Sequence, residues 1–534
     1  MKQMSILRLF RIFLVLLFVT PLSILSQTTT LQDLDSFVER TRKEFEAPGI
    51  AVAVIKDGQV LLARGYGVRR LGDPTPVDAQ TLFGIASNTK AFTAAALAIL
   101  VDEGKISWDD PVTKHLPGFQ MYDPYVTREM TVRDLLVHRS GLGLGAGDLL
   151  YWPHSIYTRE EIVRRLRFIK PASSFRSRYA YDNILYLVAG QVIEAVTGRS
   201  WDDFVKQRIL IPLGMTSTNT SVSAFRPGDD VATPHSRVNG KMQPIEYNNF
   251  DNNAPAAALN SCVADMAKWI IVQLNSGLIS HSSSGDQRLF SERQSREMWS
   301  PQTIIAISDP PPPLAALRPN FSAYGLGWGL ADYRGRKIVS HTGGLAGLVS
   351  RVTMVPDLKL GIVVLTNQEA GGVFQAITYH ILDEFLGAPS TDWLSAYHTV
   401  LQLGETKAKE TEDKQRTTRK VDSKPSLPLE KYAGQYGDAW YGTITLSTQN
   451  GRLVMSFDHT PALVGDLEHW QYDTFIARWR DRSLAADAFV TFSLKSDGTF
   501  DQMKMAPVSP LTDFSFDFQD LLFIPVVQET KGPQ

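Results

Sequence analysis

Leu82-Phe83-Gly84-Ile85-Ala86-Ser87-Asn88-Thr89-Lys90, continued by Ala91-Phe92-Thr93-Ala94-Ala95-Ala96-Leu97-Ala98-Ile99-Leu100, is the stretch around which the chain is organised. Its second half is alanine-rich and apolar on every side, which predicts a buried helix, and Gly104 just past Glu103 is a natural stop. A helix beginning near Ser87 puts Ser87 and Lys90 on one face, three residues apart. A serine hydroxyl is a poor nucleophile until a base takes its proton, and an amine one turn away is one remedy. The helix N-terminus also aims free N–H groups at any negative charge that develops there. Ser87-Asn88-Thr89-Lys90 is the only Ser-x-x-Lys of the chain, and a solvated lysine does not belong in so apolar a setting.

Upstream, Gly49 to Ile55 and Gln59 to Gly67 flank Asp57-Gly58 and predict a hairpin, preceded by a helix over Leu31 to Phe45. Downstream come a short helix at Thr131 to His138, a glycine-rich loop from Arg139 to Gly147 read as mobile, and helices over Ile184 to Val196 and Val263 to Leu274. The glycines of that loop do not fall as a dinucleotide fingerprint. Pro310 to Pro313 predicts an extended surface loop. Strands are expected at Gly325 to Leu330, Lys337 to Ser340, Val349 to Val355 and Leu360 to Thr366, then a helix at Tyr379 to Leu386. Strands at both ends and helices between them imply that the first and last pieces form one sheet. The fold class is α+β: an antiparallel sheet flanked by helices with an all-helical insertion, followed by a small all-β barrel domain. The barrel is read from Thr443 to Phe457 around Asn450-Gly451 and from Ala488 to Met505 around Asp497-Gly498.

With 534 residues, two globular units are expected. The formal charge of −2 carries no basic stripe, which argues against a nucleic-acid partner. Lys2, Arg8 and Arg11 precede the apolar run Ile12 to Leu25, with Ser26 as a cleavage point. Residues 1–26 are therefore read as a signal peptide, and losing its three cations takes the charge from −2 to −5. The expected address is secreted or periplasmic, with no membrane attachment after cleavage. Cys262 is the sole cysteine, which excludes an internal disulfide and a cysteine-rich metal site. No His-Glu-x-x-His occurs either, so neither metal nor other cofactor is expected. The domain plan is 27–400 for the α+β unit that holds the Ser87 segment, 401–426 for a charged linker and 427–534 for the β domain.

Three stretches are candidates to converge on one pocket: Ser87 with Lys90, Tyr181 with Asn183, and His341-Thr342-Gly343-Gly344. Tyr181 and Asn183 stand at a helix start and can present a phenol and an amide to one cleft, whereas Tyr247-Asn248-Asn249 has no helix behind it. Taken jointly, these residues resemble the serine β-lactamase and penicillin-binding protein superfamily, closest to the class C β-lactamases and their esterase and D-peptidase relatives. The resemblance extends over roughly residues 31 to 390, through Pro48 to Gly58, the Ser87 segment, Leu135 to Leu142, Tyr181 to Gly198 and Trp328 to Thr366. It implies Ser87 as acylated nucleophile, Lys90 as proton acceptor or electrostatic partner, and Tyr181 as phenolate-like base or proton shuttle. It implies Asn183 as the residue holding Lys90 and the substrate amide, His341, Thr342 and Gly343 as orienting residues, and the backbone N–H groups of Ser87 and Gly344 as oxyanion hole. The β domain looks like the lipocalin-like appendage of some members.

Where the β-lactamases of this group carry Lys-Thr-Gly or Lys-Ser-Gly, this chain has His341-Thr342-Gly343. A lysine offers a full charge to a substrate carboxylate, and a histidine at neutral pH is largely neutral. The leading expectation is a secreted serine hydrolase acting on an amide or ester, a D-amino-acid peptide of cell-wall type among the candidates. An esterase or weak β-lactamase, and a non-hydrolysing penicillin- or peptidoglycan-binding protein, are the alternatives. The partner is a small molecule or peptide, and a homo-oligomer stays open. For Asp182 the sequence offers no account.

Overall fold

The computed structural model describes residues 31, 33–283 and 285–526; the expected export signal at residues 1–26 lies outside them. Gly49–Lys56 (β1) and Gln59–Gly67 (β2) form the hairpin, with Asp57 and Gly58 both at positive φ (51° and 77°) as a two-residue turn of this kind requires. The remaining strands of the main sheet come late in the chain: Thr303–Ile304 (β3), Ser322–Tyr324 (β4), Gly329–Tyr333 (β5), Arg336–Leu345 (β6), Leu348–Val355 (β7) and Leu360–Thr366 (β8). Their order is β2-β1-β8-β7-β6-β5-β4-β3, antiparallel throughout. Ala51 stands opposite Leu365 and Ala53 opposite Val363, so the first and last strands of this unit are neighbours.

The pleat sends alternate residues of β1 to opposite faces. Ile50, Val52 and Val54 face helices Leu34–Glu44 (α1) and Gly371–Leu386. Ala51, Ala53 and Ile55 join the core on the other face, where Val263–Leu274 packs on the sheet and Thr89–Asp102 (α2) lies behind it, Phe92 stacked on Trp269 at 3.9 Å. With helices on both sides, β1 and β8 read as continuous apolar runs. Ile184–Thr197 (α3) belongs to the helical insertion. The segment Thr131 to His138 is not the short helix its sequence predicts: it holds one 3₁₀ turn at Asp134–Leu136, because the Asp134 carboxylate accepts from Thr131 and pairs with Arg139 and Arg176. The glycine-rich segment after it is packed, with Leu142 and Ala146 buried and Gly145 N donating to Tyr181 O at 2.9 Å.

One helix, Trp393–Thr418, carries the chain through the charged stretch, its first turns buried by Trp393, Ala396 and Tyr397. The β domain is a closed barrel of eight antiparallel strands from Gly434–Asp438 to Leu522–Pro525. An eight-stranded barrel is just wide enough for side chains to fill. Here Tyr432, Tyr436, Tyr441, Phe457, Phe475 and Phe492 do so, with ring pairs such as Tyr441–Phe457 at 5.0 Å. The barrel core is continuous with the core of the first unit. Trp152 meets Phe516, Tyr157 stacks on His459 at 4.2 Å, and Arg165 donates to Trp440 O at 2.8 Å across the junction.

Candidate active site

Ser87 sits in a single 3₁₀ turn, Ala86–Asn88, that feeds directly into α2. Ala86 has φ 50°, a left-handed conformation that costs a side-chain-bearing residue on the order of 1 kcal/mol and persists only where the surroundings over-determine it. They do so through every neighbour. Asn88 Nδ2 donates to Ser350 Oγ at 2.8 Å, Ser350 Oγ donates to Ile85 O at 2.7 Å, and Thr89 Oγ1 accepts from Leu259 N at 3.2 Å.

Lys90 Nζ donates to Ser87 Oγ at 2.9 Å, to Asn183 Oδ1 at 2.7 Å and to Ala256 O at 3.2 Å. The side chain is wholly buried, with the Tyr181 and Tyr186 rings about its amine at 4.9 and 5.2 Å. Burial pushes its pKa down to about 7, against the upward pull of the Asp148 and Asp182 charges. That shift disfavours the ammonium by on the order of 5 kcal/mol and leaves a large share of free amine at neutral pH. Tyr181 responds in the opposite direction. Burial raises its phenol well above 10, and the contact with Ser87 only partly offsets that rise. The expected phenolate is therefore not favoured here; the phenol is neutral and the amine is the stronger base.

Asn183, at the start of α3, bridges two charges: its Oδ1 accepts from Lys90 while its Nδ2 donates to Asp148 Oδ2 at 2.8 Å. Asp148 is buried and pushed up to about 7 by desolvation, against hydrogen bonds from Tyr151, Asn183 and Ser515. The sequence reading missed Asp148, which lies in a turn with no periodic signal. Asp182 points the other way, accepting from Ser140 Oγ at 2.9 Å beside the buried His138. Its acidity serves this internal cluster, which packs against the Tyr181 ring through His138 at 4.2 Å.

His341, on β6, is buried. Its Nδ1 lies 2.6 Å from Thr342 O, which can only accept, so Nδ1 carries the proton and Nε2 accepts from the Tyr324 hydroxyl at 2.7 Å. Burial and the Lys90 charge push the imidazole down to about 3, leaving it neutral. Gly343 does not line the cleft. A Cβ there would lie 2.3 Å from Ile85 O, 2.5 Å from Ser350 Oγ and 2.9 Å from Ala86 Cβ, so its part is to let β6 approach the Ser87 turn. Thr342 and Gly344 open into the cleft, where nothing lies within 4 Å of a Cβ built on Gly344. Tyr247, the sequence decoy, donates its hydroxyl to Ala232 O.

The cleft holds about 430 Å³ and is lined by Ser87, Tyr181, Asn183, His341 and a rim of Trp152, Phe250 and Phe514. Asp513 is the one acidic side chain among its lining residues, and no lysine or arginine is among them. Among the described residues no group of three or more His, Cys, Asp or Glu side chains could hold a metal ion.

An α+β fold with this sheet, this helical insertion and a serine–lysine pair at a helix N-terminus defines a class of serine hydrolases. The chain belongs to the beta-lactamase family: the family model described as Beta-lactamase matches residues 34–384. Residues 418–525 match a domain of unknown function, DUF3471. The unguisins hydrolase ungD of Aspergillus violaceofuscus is 31% identical over 474 residues, 83% of this chain and 82% of that protein. The octameric penicillin-binding protein homologue from Pyrococcus abyssi superposes with a TM-score of 0.57 at 22% identity, covering 92% of this chain and 99% of that one. SurE with D-Leu gives a TM-score of 0.51 at 18% identity over 94% of this chain and all of the other (100%). These two likenesses establish the shared fold.

Proposed function

We propose that this chain is an exported serine hydrolase that cleaves an amide or ester through an acyl-enzyme on Ser87, with peptides containing D-amino acids as the favoured substrate class. The observation that carries the reading is the 2.9 Å contact between Ser87 Oγ and a buried Lys90 amine whose pKa is pulled down to about 7. Ser87 Oγ attacks the substrate carbonyl and its proton passes to Lys90 Nζ. The oxyanion is held by the N–H groups of Ser87 and Gly344, each such donor being worth roughly 3 kcal/mol. Lys90 returns the proton by way of the neutral Tyr181 phenol to the leaving nitrogen or oxygen, and the C–N or C–O bond breaks. Water then attacks the ester with Lys90 again as base, releasing the acid and restoring Ser87.

The substrate class is supported by charge. A substrate carboxylate would meet a neutral His341 and the Asp513 carboxylate, with no lysine or arginine among the lining residues to receive it. That disfavours β-lactams and free peptide C-termini and favours neutral or amine-bearing peptides. A relative named for hydrolysis of unguisins, and a structure of SurE holding D-Leu, point to peptide and D-amino-acid chemistry. An octameric structural neighbour makes a homo-oligomer a reasonable arrangement. The basic and apolar first 26 residues support a periplasmic or extracellular site of action.

The test is intact-mass analysis after incubation with a fluorophosphonate. Wild type should gain one adduct on Ser87, and Ser87→Ala should gain none while melting like wild type. Turnover that persists in Ser87→Ala would overturn the mechanism. Turnover of a chromogenic cephalosporin faster than that of D-amino-acid peptides would overturn the substrate assignment.

A further inference from the structure

The barrel does more than lie beside the hydrolase unit. The connection between its last two strands, Phe500–Pro507 and Leu522–Pro525, leaves the barrel and enters the site. Ser515 Oγ donates to Asp148 Oδ2 at 2.9 Å, the same carboxylate oxygen that receives Asn183 Nδ2. Asp517 accepts from Gly147 N at 2.7 Å and from Leu149 N at 3.3 Å, the two amides that flank Asp148. Phe514 packs edge-on to Tyr181, and a Cβ on Gly145 would lie 2.7 Å from its ring, so the loop and the Asp148 turn are fitted to each other. Ser515, Asp517 and Asp148 are all buried.

We propose that Ser515 and Asp517 are positioning residues of the catalytic centre: the barrel loop fixes Asp148, Asp148 fixes the Asn183 amide, and the amide presents its oxygen to Lys90. This rests on the reading of Ser87 and Lys90 as the acylating pair. The chain of contacts is directional. An amide held at its nitrogen by Asp148 must turn its oxygen to the amine; released, it is free to turn its own N–H groups toward Lys90, where they meet a repelling ammonium or occupy the lone pair that the neutral amine needs to take the Ser87 proton. The loop acts on charge as well as on orientation. The groups facing Lys90 are Ser87, Asn183, Tyr181, Tyr186, His138, His341, Asp148 and Asp182. Those facing Asp148 are Tyr151, Asn183, Ser515, Lys90 and Asp517. Removing the Ser515 hydroxyl weakens the carboxylate form of Asp148, so Lys90 loses part of its counter-charge and gives up its proton more readily.

The experiment uses the full chain with Ser515→Ala and the hydroxyl-bearing Ser515→Thr, assayed on p-nitrophenyl acetate, whose acyl group is too small to depend on Phe514 for binding. For Ser515→Ala the expected result is a fall in kcat of about tenfold, the worth of a hydrogen bond to a charged group, with KM changed by less than about twofold. The acid limb of the kcat/KM profile should move to lower pH by about half a unit. Ser515→Thr, which keeps the hydroxyl, should restore both. Asp517→Asn, which loses one of its two acceptors for the amides beside Asp148, should lower kcat likewise but without the shift to lower pH, since it takes no hydrogen bond from Asp148 and the charge it removes is a like one. An unmoved limb in a Ser515→Ala protein whose melting temperature matches wild type would overturn the proposal, as would a loss confined to KM in either variant. Ser87→Ala is labelled in parallel: turnover surviving there refutes the acyl-enzyme reading, whereas unaltered Ser515 variants beside a dead Ser87→Ala refute only the role of the barrel loop.

Discussion

Gly343→Ala is a one-methyl change that tests whether the Ser87 turn is held by the strand beside it. The added Cβ would stand 2.3 Å from Ile85 O, 2.5 Å from Ser350 Oγ and 2.9 Å from Ala86 Cβ. Against the 3.4 Å at which ordinary contact begins, they are too close by about 1.1, 0.9 and 0.5 Å. None of the three can swing away: Ile85 O is backbone, Ser350 Oγ is tied to both Ile85 O and Asn88, and the Ala86 Cβ moves only with its backbone. The turn must therefore retreat from β6 by most of an ångström. Overpacking of this kind costs about 1–3 kcal/mol of stability, and a 1 Å misplacement of a reacting group costs about 100-fold in rate. The adjacent position supplies a stability control, since nothing lies within 4 Å of a Cβ built on Gly344. Second-order fluorophosphonate labelling rates and thermal melts measure both quantities. Gly343→Ala should label about 100-fold more slowly and melt several degrees lower, while Gly344→Ala keeps the wild-type melting temperature. Wild-type labelling by Gly343→Ala would refute the claim that close approach of the strand positions the nucleophile.

In the free enzyme Lys90 must be unprotonated to accept the Ser87 proton, so kcat/KM should fall about tenfold per pH unit below about pH 7; a flat profile from pH 5 to 9 counts against the amine as base. Lys90→Met should abolish fluorophosphonate labelling at neutral pH while the protein still folds, because the buried amine is replaced by a side chain of similar length that needs no desolvation. Asp134→Ala should lower stability by about 1–3 kcal/mol, read by urea denaturation, since the buried carboxylate's hydrogen bonds to Thr131, Arg139 and Arg176 are lost while the two part-exposed guanidinium groups turn to water. Burial raises that carboxyl but the hydrogen bonds of Arg176, Thr131 and Arg139 outweigh it and hold it below 3.8; the contribution is therefore full above the unfolded value and disappears as pH falls through the lower folded one.

Much of the fold is legible in the sequence because its signals are local. Asp57-Gly58 and Asn450-Gly451 mark hairpins by backbone requirement, and the apolar run of Leu360 to Thr366 can only be a buried strand once β1 needs a neighbour. The convergence of Ser87, Lys90 and Asn183 is legible for a different reason: each stands at the start of a helix whose packing fixes its direction, whereas His341 lies inside β6, which runs on past the expected strand end at Ser340. Asp148, Ser515 and Asp517 carry no such signal. They lie in irregular turns, their meeting depends on how the barrel docks, and no periodicity links residues 367 apart. Gly343 is legible as a glycine but not as a spacer, since only the coordinates place Ile85 O beneath it. Asp182 is opaque because its partners, His138 and Ser140, straddle the boundary between a stretch read as a short helix and a glycine-rich loop read as mobile.

The contact between Ser515 and Asp148 also bears on when in its life the protein becomes reactive. During synthesis the ribosome completes Ser87, Lys90 and Asn183 long before Ser515, which follows Asp148 by 367 positions. A nascent or truncated chain without that loop lacks the contact that anchors Asp148, and through it Asn183. On the reading proposed here, full acylating power arrives only with the last strands of the barrel.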